Sequence, residues 1–154
     1  MRRFQQVLDK DLKRTYTINI LSVLNDWFQD EQAIKSYGEK SRDSLYFIST
    51  MNKEIEGFIS LHLHNNMSAE IMSMGVIKEA HGQGIGSRLM ELAQTQLKKQ
   101  GFKFLQVKTL GPSVECSFYK STRKFYETSG FVALEETTAL WGEDNPCLIM
   151  IKNL

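Results

Sequence analysis

Prolines and cysteines are both scarce, with two of each in 154 residues, and neither sign of charge prevails, because 19 Lys plus Arg against 18 Asp plus Glu leave a net charge of +1. Each scarcity excludes something. Cys116 and Cys147 fit neither a CxxC pair nor a disulfide framework, so reduced thiols are expected. With so little proline there is no Pro/Ser-rich linker, and no repeat or low-complexity tract breaks the chain, which therefore reads as one domain over residues 1–154. The balanced charge lacks the one-sided basic footprint of a nucleic-acid binder. It also offers little long-range steering toward a polyanionic partner. No apolar run approaches membrane-spanning length, and polar, charged Met1–Arg14 has no signal-peptide core. The expectation is a cytoplasmic chain with neither nucleic acid nor membrane as partner. Apolar residues at 42% and charged residues at 24% are an ordinary globular balance.

What is present alternates in period. "RRFQQVLD" suits a short strand. Leu12, Tyr16, Ile20, Val23, Leu24, Trp27 and Phe28 recur at helical spacing in "DLKRTYTINILSVLNDWF", which predicts a helix running through Phe28. "DEQAIKSYGEKSRD" is a weaker second helix. "SLYFIST", a turn at "MNKE" and "IEGFISLHL" follow, the last placing Ile55, Gly57, Ile59, Leu61 and Leu63 on one face of a strand. A turn at "HNNMS" leads to the strand "AEIMSMGVI". Ile85, Leu89, Leu92, Ala93 and Leu97 stripe a helix, "FKFLQVKTL" is a strand, and "STRKFYETSG" is a helix ended by Gly130. "FVALEET" and "PCLIMIKN" close the chain as strands. Strands crowded around two well-marked helices imply a mixed sheet with helices packed on it.

Between the third long strand and its helix, "GVIKEAHGQGIGSRLM" holds four glycines within Gly75–Gly86, three of them at alternate positions. A helix N-terminus presents backbone N–H groups without partners at the positive end of the helix dipole. Glycines ahead of it let an anion, usually a phosphate, reach those amides. Amides between Gly82 and Ser87 thus form a candidate pyrophosphate cradle. The alternative is a flexible turn that uses glycine for its backbone alone. A Walker A loop is excluded because no lysine stands at the required place. The dinucleotide fingerprint also fails, with Leu89 where its third glycine would fall, and hairpin-like strands upstream are wrong for it.

These residues carry a family resemblance. The stretch resembles the acyl-CoA-binding motif of the GNAT family of N-acetyltransferases, Q/R-x-x-G-x-G/A, with Gly84 and Gly86 on its small positions and His81 on the Q/R position. "STRKFYETSGF" is similar to the family's later F-Y-x-x-x-G-F segment through Phe125, Tyr126, Gly130 and Phe131. The order of elements agrees along essentially the whole chain. The resemblance implies an α/β (α+β) fold: a mixed, mostly antiparallel sheet of about seven strands, helices on both faces, and a splay between the fourth and fifth strands. It implies acetyl-CoA as cosubstrate, lying in that splay. Backbone of Met74, Gly75 and Val76 would then follow the pantetheine arm, and amides of Gly82, Gln83, Gly84, Ile85, Gly86 and Ser87 would hold the pyrophosphate. Arg88 would reach an outer phosphate or simply be solvated. Gly75 suits a bulge or a close ligand approach, the alternative being a plain strand irregularity. The chain departs from the pattern at His81, a shorter donor than Gln or Arg, and at Tyr119, where many members carry Asn near the cofactor.

Amine acetylation needs a base, because an alkylammonium has a lysine-like pKa of about 10.4. Glu70 lies eleven residues before His81, the offset at which some members of the family place their general base. Strand parity predicts that it shares a face with Met72, Met74 and Val76, where apolar neighbours would raise its pKa. The alternative is a solvated carboxylate at the strand's foot. Tyr126 matches the family tyrosine that protonates the departing thiolate, and its alternative is a buried aromatic. His62 and His64 share a strand face, and with no third ligand near they do not read as a metal site. Cys116 and Trp27 read first as core residues, with the cofactor and the acceptor wall as their respective alternatives. The expected activity is direct transfer of acetyl from acetyl-CoA to the amine of a small molecule or a peptide, without a metal. The other reading is a non-catalytic acyl-CoA sensor of the same fold. A homodimer is left open.

Overall fold

Capping residues and turn chemistry set the elements of the computed structural model, which describes residues 1–154. Strand β1 (Arg2–Gln6) leads to Asp9, whose carboxylate accepts from the Leu12 amide and starts helix α1 (Lys10–Val23). Asp30 does the same for α2 (Glu31–Ser41), accepting from the amides of Gln32 and Ala33. Strands β2 (Leu45–Met51) and β3 (Glu54–Leu63) form a hairpin over Asn52 and Lys53. Both turn residues have positive φ, 51° and 72°, the backbone that matches strand twist in a two-residue turn. Then come β4 (Ser68–Val76), a 3-10 turn at Lys78–Ala80, α3 (Ile85–Lys99), β5 (Phe104–Leu110), α4 (Ser117–Thr128), β6 (Val132–Thr137) and β7 (Cys147–Asn153). No helix is long and apolar enough to cross a membrane.

The seven strands form one sheet in the order β1-β2-β3-β4-β5-β7-β6. Only β4 and β5 run parallel, and their pairing extends from Ser68↔Phe104 to Ile71↔Val107 and stops. Beyond Ile71 the two strands part, with Met72–Val76 of β4 and Lys108–Leu110 of β5 unpaired to one another. This is the expected mixed, mostly antiparallel sheet with its splay between the fourth and fifth strands.

Helices cover both faces. On one, α3 buries Ile85, Leu89, Ala93 and Leu97 against Ile59, Leu61, Ile71, Leu105 and Met150. On the other, α1 and α2 bury Ile20, Leu21, Leu24 and Ile34 against Tyr46, Ile48 and Phe58. Two bulges break the parity expected from the sequence. Ser49 pairs with Gly57 and Thr50 with Ile55, leaving Glu56 as an extra residue in β3. Ile55 accordingly joins the α1/α2 cluster, not the face of Ile59 and Leu61. In β4, Ile71 faces Leu61 and Ser73 faces Ser60, so Met72 is the extra residue.

Helix α1 also ends earlier than its apolar spacing predicts. It stops at Val23, and Leu24 accepts from the amides of Trp27 and Phe28, which lie in a turn. Asn25 and Asp26, both turn formers, supply the local cause. Its buried face runs through Lys13, Thr17, Ile20 and Leu21, whereas Leu12 and Val23 are exposed. Lys13 is tolerated there because its ammonium donates to the Ser44 carbonyl at 2.7 Å. Helix α4 begins four residues before the predicted stretch, at Ser117 rather than Ser121.

Candidate active site

The splay opens a cleft of about 1110 Å³. Its floor is the parting of β4 and β5, and its ends are the glycine loop before α3 on one side and the α1–α2 turn on the other. Gly82 and Gly84 hold φ of 75° and 77°, and a Cβ on either would meet nothing within 4 Å. These two glycines therefore serve left-handed backbone. Gly86 differs: its φ is ordinary, and a Cβ there would stand 3.3 Å from the Phe125 ring of α4. Gly84 caps α3 without a side-chain bond. The first amide bonded back along the helix is Arg88 to Gly84 O, at 3.0 Å. The amides of Ile85, Gly86 and Ser87 are thus left without intrahelical acceptors at the cleft wall. The donor set suits a diphosphate.

Met74, Gly75 and Val76 line the cleft along β4. Gly75 is neither a bulge nor a site of ligand approach through its missing side chain. It pairs regularly with Phe58, and a Cβ there would lie 2.8 Å from Leu24 Cδ1 and 3.1 Å from Ile20 Cγ2. The close approach it permits is that of α1. His81 lines the cleft but donates its Nε2–H to the Val76 carbonyl at 2.7 Å. Gln83 turns away from the cleft, its side-chain carbonyl accepting from Arg2 Nη2 at 2.5 Å. Arg88 turns along its own helix to Glu91, at 3.0 Å, with its guanidinium over the Phe4 ring.

Two aromatic side chains tie the cleft's walls together. The Tyr119 hydroxyl of α4 donates to the Trp27 carbonyl at 2.7 Å. Trp27 Nε1 lies 3.2 Å from the Phe118 carbonyl and 3.1 Å from Thr122 Oγ1. The indole meets the His81 ring edge to face at 6.0 Å. Trp27 is therefore a wall of the cleft and not helix core. Burial pushes the Tyr119 phenol up to about 12.

Tyr126 lies deeper, packed edge to face between Phe125 and Phe131 with both ring centroids at 5.6 Å. It lines the cleft while only 6% exposed. Burial raises its phenol well above the ordinary value near 10. Burial disfavours the phenolate, so the side chain stays a neutral phenol at the cleft.

Glu70 is not where strand parity predicts. The Met72 bulge moves Met74 and Val76 to the α3 face. Glu70 stays on the opposite face across from His62, beside the charged Lys108 and not among apolar neighbours. Its Oε1 accepts from Lys108 Nζ at 2.9 Å and from His64 Nε2 at 2.7 Å. Both bonds fall on one oxygen and leave Oε2 without either. Lys108, rather than Glu70, reaches the cleft wall. His62 and His64 meet edge to face at 4.6 Å. No group of three or more His, Cys, Asp or Glu is placed to hold a metal ion.

Sequence reasoning missed Lys108, Ser73, Tyr37, Trp141 and Asn145 on this wall. Only Lys108 left a signal, as a charge inside a strand otherwise reading as central. The others arrive from separate elements. Cys116 also lines the cleft, so the core reading of that residue gives way to its alternative placement.

A parallel splay in a seven-stranded mixed sheet, with unpaired helix amides at its mouth, defines an acyl-CoA-type acetyltransferase architecture. The chain matches the family described as "Acetyltransferase (GNAT) domain" over residues 42–133, and it belongs to that family. Solved structures carry the same fold. A GNAT-family protein from Desulfovibrio desulfuricans agrees with a TM-score of 0.82 at 14% identity, over 99% of each chain. The ribosomal-protein-S18-alanine N-acetyltransferase from Escherichia coli gives 0.74 at 19% identity, over 99% of this chain and 94% of that one. A GNAT family acetyltransferase from Elizabethkingia anophelis, solved with acetyl-CoA bound, gives 0.71 at 17% identity, over 99% of this chain and 98% of that one. No curated protein matches by sequence.

Proposed function

We propose that residues 1–154 form a single N-acetyltransferase domain that moves acetyl from acetyl-CoA directly to the amine of a small molecule or peptide. The observation that carries this reading is the juxtaposition of three unpaired helix amides, Ile85–Ser87, with a buried, protonated Tyr126 on one cleft. The amides suit the diphosphate, with the α3 dipole adding to their pull. The freed edge of β4 from Val76 to Met74 suits an amide-bearing arm. His81 and Tyr119 frame the site rather than reaching out of it, since each already donates to a backbone carbonyl.

In this reading the amine nitrogen attacks the thioester carbon and the C–S bond breaks. Glu70 Oε2 receives the amine's proton through an intervening water, and Tyr126 gives its proton to the departing sulfur. The phenolate then recovers a proton from solvent. Glu70's withdrawal behind Lys108 favours a second reading, an acyl-CoA sensor without turnover.

Thermal shift with acetyl-CoA, CoA, ATP and NAD tests the first step. Ligand at about 100 times its Kd should add about 2.7 kcal/mol. A shift with the CoA species alone supports the cradle, and a larger shift with ATP or NAD rejects it. Amine-dependent thiol release then separates enzyme from sensor.

A further inference from the structure

Ser73 has a buried hydroxyl with nothing to bond. The residue is 6% exposed, lines the cleft, and its Oγ has no hydrogen-bond partner. Its surroundings make this unusual. Directly across the ladder, Ser60 bonds Ser44 at 2.9 Å and Ser41 at 3.1 Å. Thr17 extends that network to Ser41 at 3.1 Å and to the Tyr46 hydroxyl at 2.8 Å. Those neighbouring hydroxyls are paired among themselves; Ser73 Oγ and Ser49 Oγ are the two fully buried side-chain oxygens without a partner, and of the two Ser73 belongs to the cleft wall. Buried polar groups are nearly always satisfied, so an orphan on a cleft wall points to a ligand atom.

The bulge explains how the hydroxyl comes to be there. In an unbroken strand, Met72 would follow Glu70 on this face. The extra residue hands the position to Ser73 instead, and bulges beside active sites commonly re-aim a side chain in this way. Ser73 is the second residue beyond Ile71, where β4 loses β5. It therefore sits near the vertex of the splay. From Val76 back to Ser73 the strand advances about 10 Å at about 3.3 Å per residue. An acyl-CoA with its diphosphate at α3 and its arm along β4 carries its thioester toward that vertex.

Resting on the acetyl-CoA reading above, we propose that Ser73 Oγ–H donates a hydrogen bond to the thioester carbonyl oxygen. As the amine nitrogen bonds to the carbonyl carbon, negative charge gathers on that oxygen and the bond strengthens. When the C–S bond breaks, its electron pair leaves with sulfur. The Ser73 proton stays on Oγ throughout.

The test compares acetyl-CoA and CoA by isothermal titration of the full chain and of Ser73→Ala. Wild type should bind acetyl-CoA about fivefold more tightly than CoA, the size of one net hydrogen bond. In Ser73→Ala the two affinities should fall within about twofold of each other, with CoA affinity unchanged. The melting temperature of the unliganded variant should equal or exceed that of wild type, because no bond within the chain is lost. Three results would overturn the inference: a variant that keeps the preference, a wild type that shows none, or a variant whose affinity for CoA falls equally. A wild type that binds neither CoA species overturns the acetyl-CoA reading itself, and this inference with it.

Discussion

Glu70 and Lys108 join the two parting strands: the carboxylate of β4 accepts from the Lys108 ammonium of β5 at 2.9 Å, just where the β4–β5 ladder ends. The Glu70 side chain is 16% exposed and the Lys108 side chain 28%, so the pair is shielded from solvent without being sealed. The contact keeps one carboxylate oxygen engaged and holds the other in place. Glu70→Gln keeps the shape and removes the carboxylate proposed as the base. It should lower kcat/KM by about 10²-fold while leaving the affinity for acetyl-CoA unchanged, measured by steady-state thiol release and by titration. Loss of CoA affinity instead would make the pair a brace for the splay rather than part of the chemistry.

Tyr126→Phe removes only the hydroxyl, and the ring remains between Phe125 and Phe131. Stability should change little, whereas kcat should fall about 10²-fold if the phenol is the acid. The pH profile gives a second check. A phenol is neutral when protonated, burial disfavours its charged form, and the folded pKa therefore moves up. The donor form persists to higher pH, so kcat should show no falling limb at the ordinary tyrosine value of about 10. A limb there in wild type, absent in Tyr126→Phe, would assign Tyr126 an exposed environment that the packing denies it.

The glycines separate into two kinds of cost. Gly84 needs positive φ, and alanine in that backbone costs about 1–2 kcal/mol, a fall of roughly 2–8 °C in melting temperature. The Cβ itself would meet nothing. Gly86→Ala has ordinary φ and instead presses on Phe125 at 3.3 Å. Its effect should appear in the spacing of α3 and α4, and hence in the affinity for CoA. Melting curves with and without CoA distinguish the two: a stability loss for Gly84→Ala that CoA does not restore, and a weakened CoA shift for Gly86→Ala.

Much of this was legible in the chain because local chemistry and tertiary structure agree. The order of elements, the turn at "MNKE" and the α3 stripe all follow from period, turn residues and glycine. The Met72 bulge was not legible. It leaves no mark in an alternating "AEIMSMGV", yet it moves Glu70 away from Met74 and Val76 and brings Ser73 to the vertex. The end of α1 was misread for a related reason. Trp27 and Phe28 continue the apolar spacing, but Asn25 and Asp26 turn the chain and Trp27's indole bonds across to α4. Gly75 looked like room for a ligand, and only packing reveals that α1 fills it. Residues gathered from distant elements, such as Tyr37, Trp141 and Asn145, carry no joint signal in one dimension.

Both tryptophans of the chain, Trp27 and Trp141, line the cleft, so intrinsic fluorescence reads its occupancy without a label. Trp27 is the more informative because its indole is fixed by one N–H shared between two acceptors on α4 and by the edge of His81. In the proposed binding mode, acetyl-CoA enters between the glycine loop and β4 and passes beside that ring. Titration should change the emission intensity or maximum saturably, with a midpoint matching the calorimetric Kd. Trp27→Phe keeps an aromatic edge for His81 and Phe118 but loses the Nε1 donor. The signal should then shrink to that of Trp141, and CoA should bind about two- to tenfold more weakly, as expected for one lost bond bracing a cleft wall. An unchanged signal in Trp27→Phe would place the ligand against Trp141 instead.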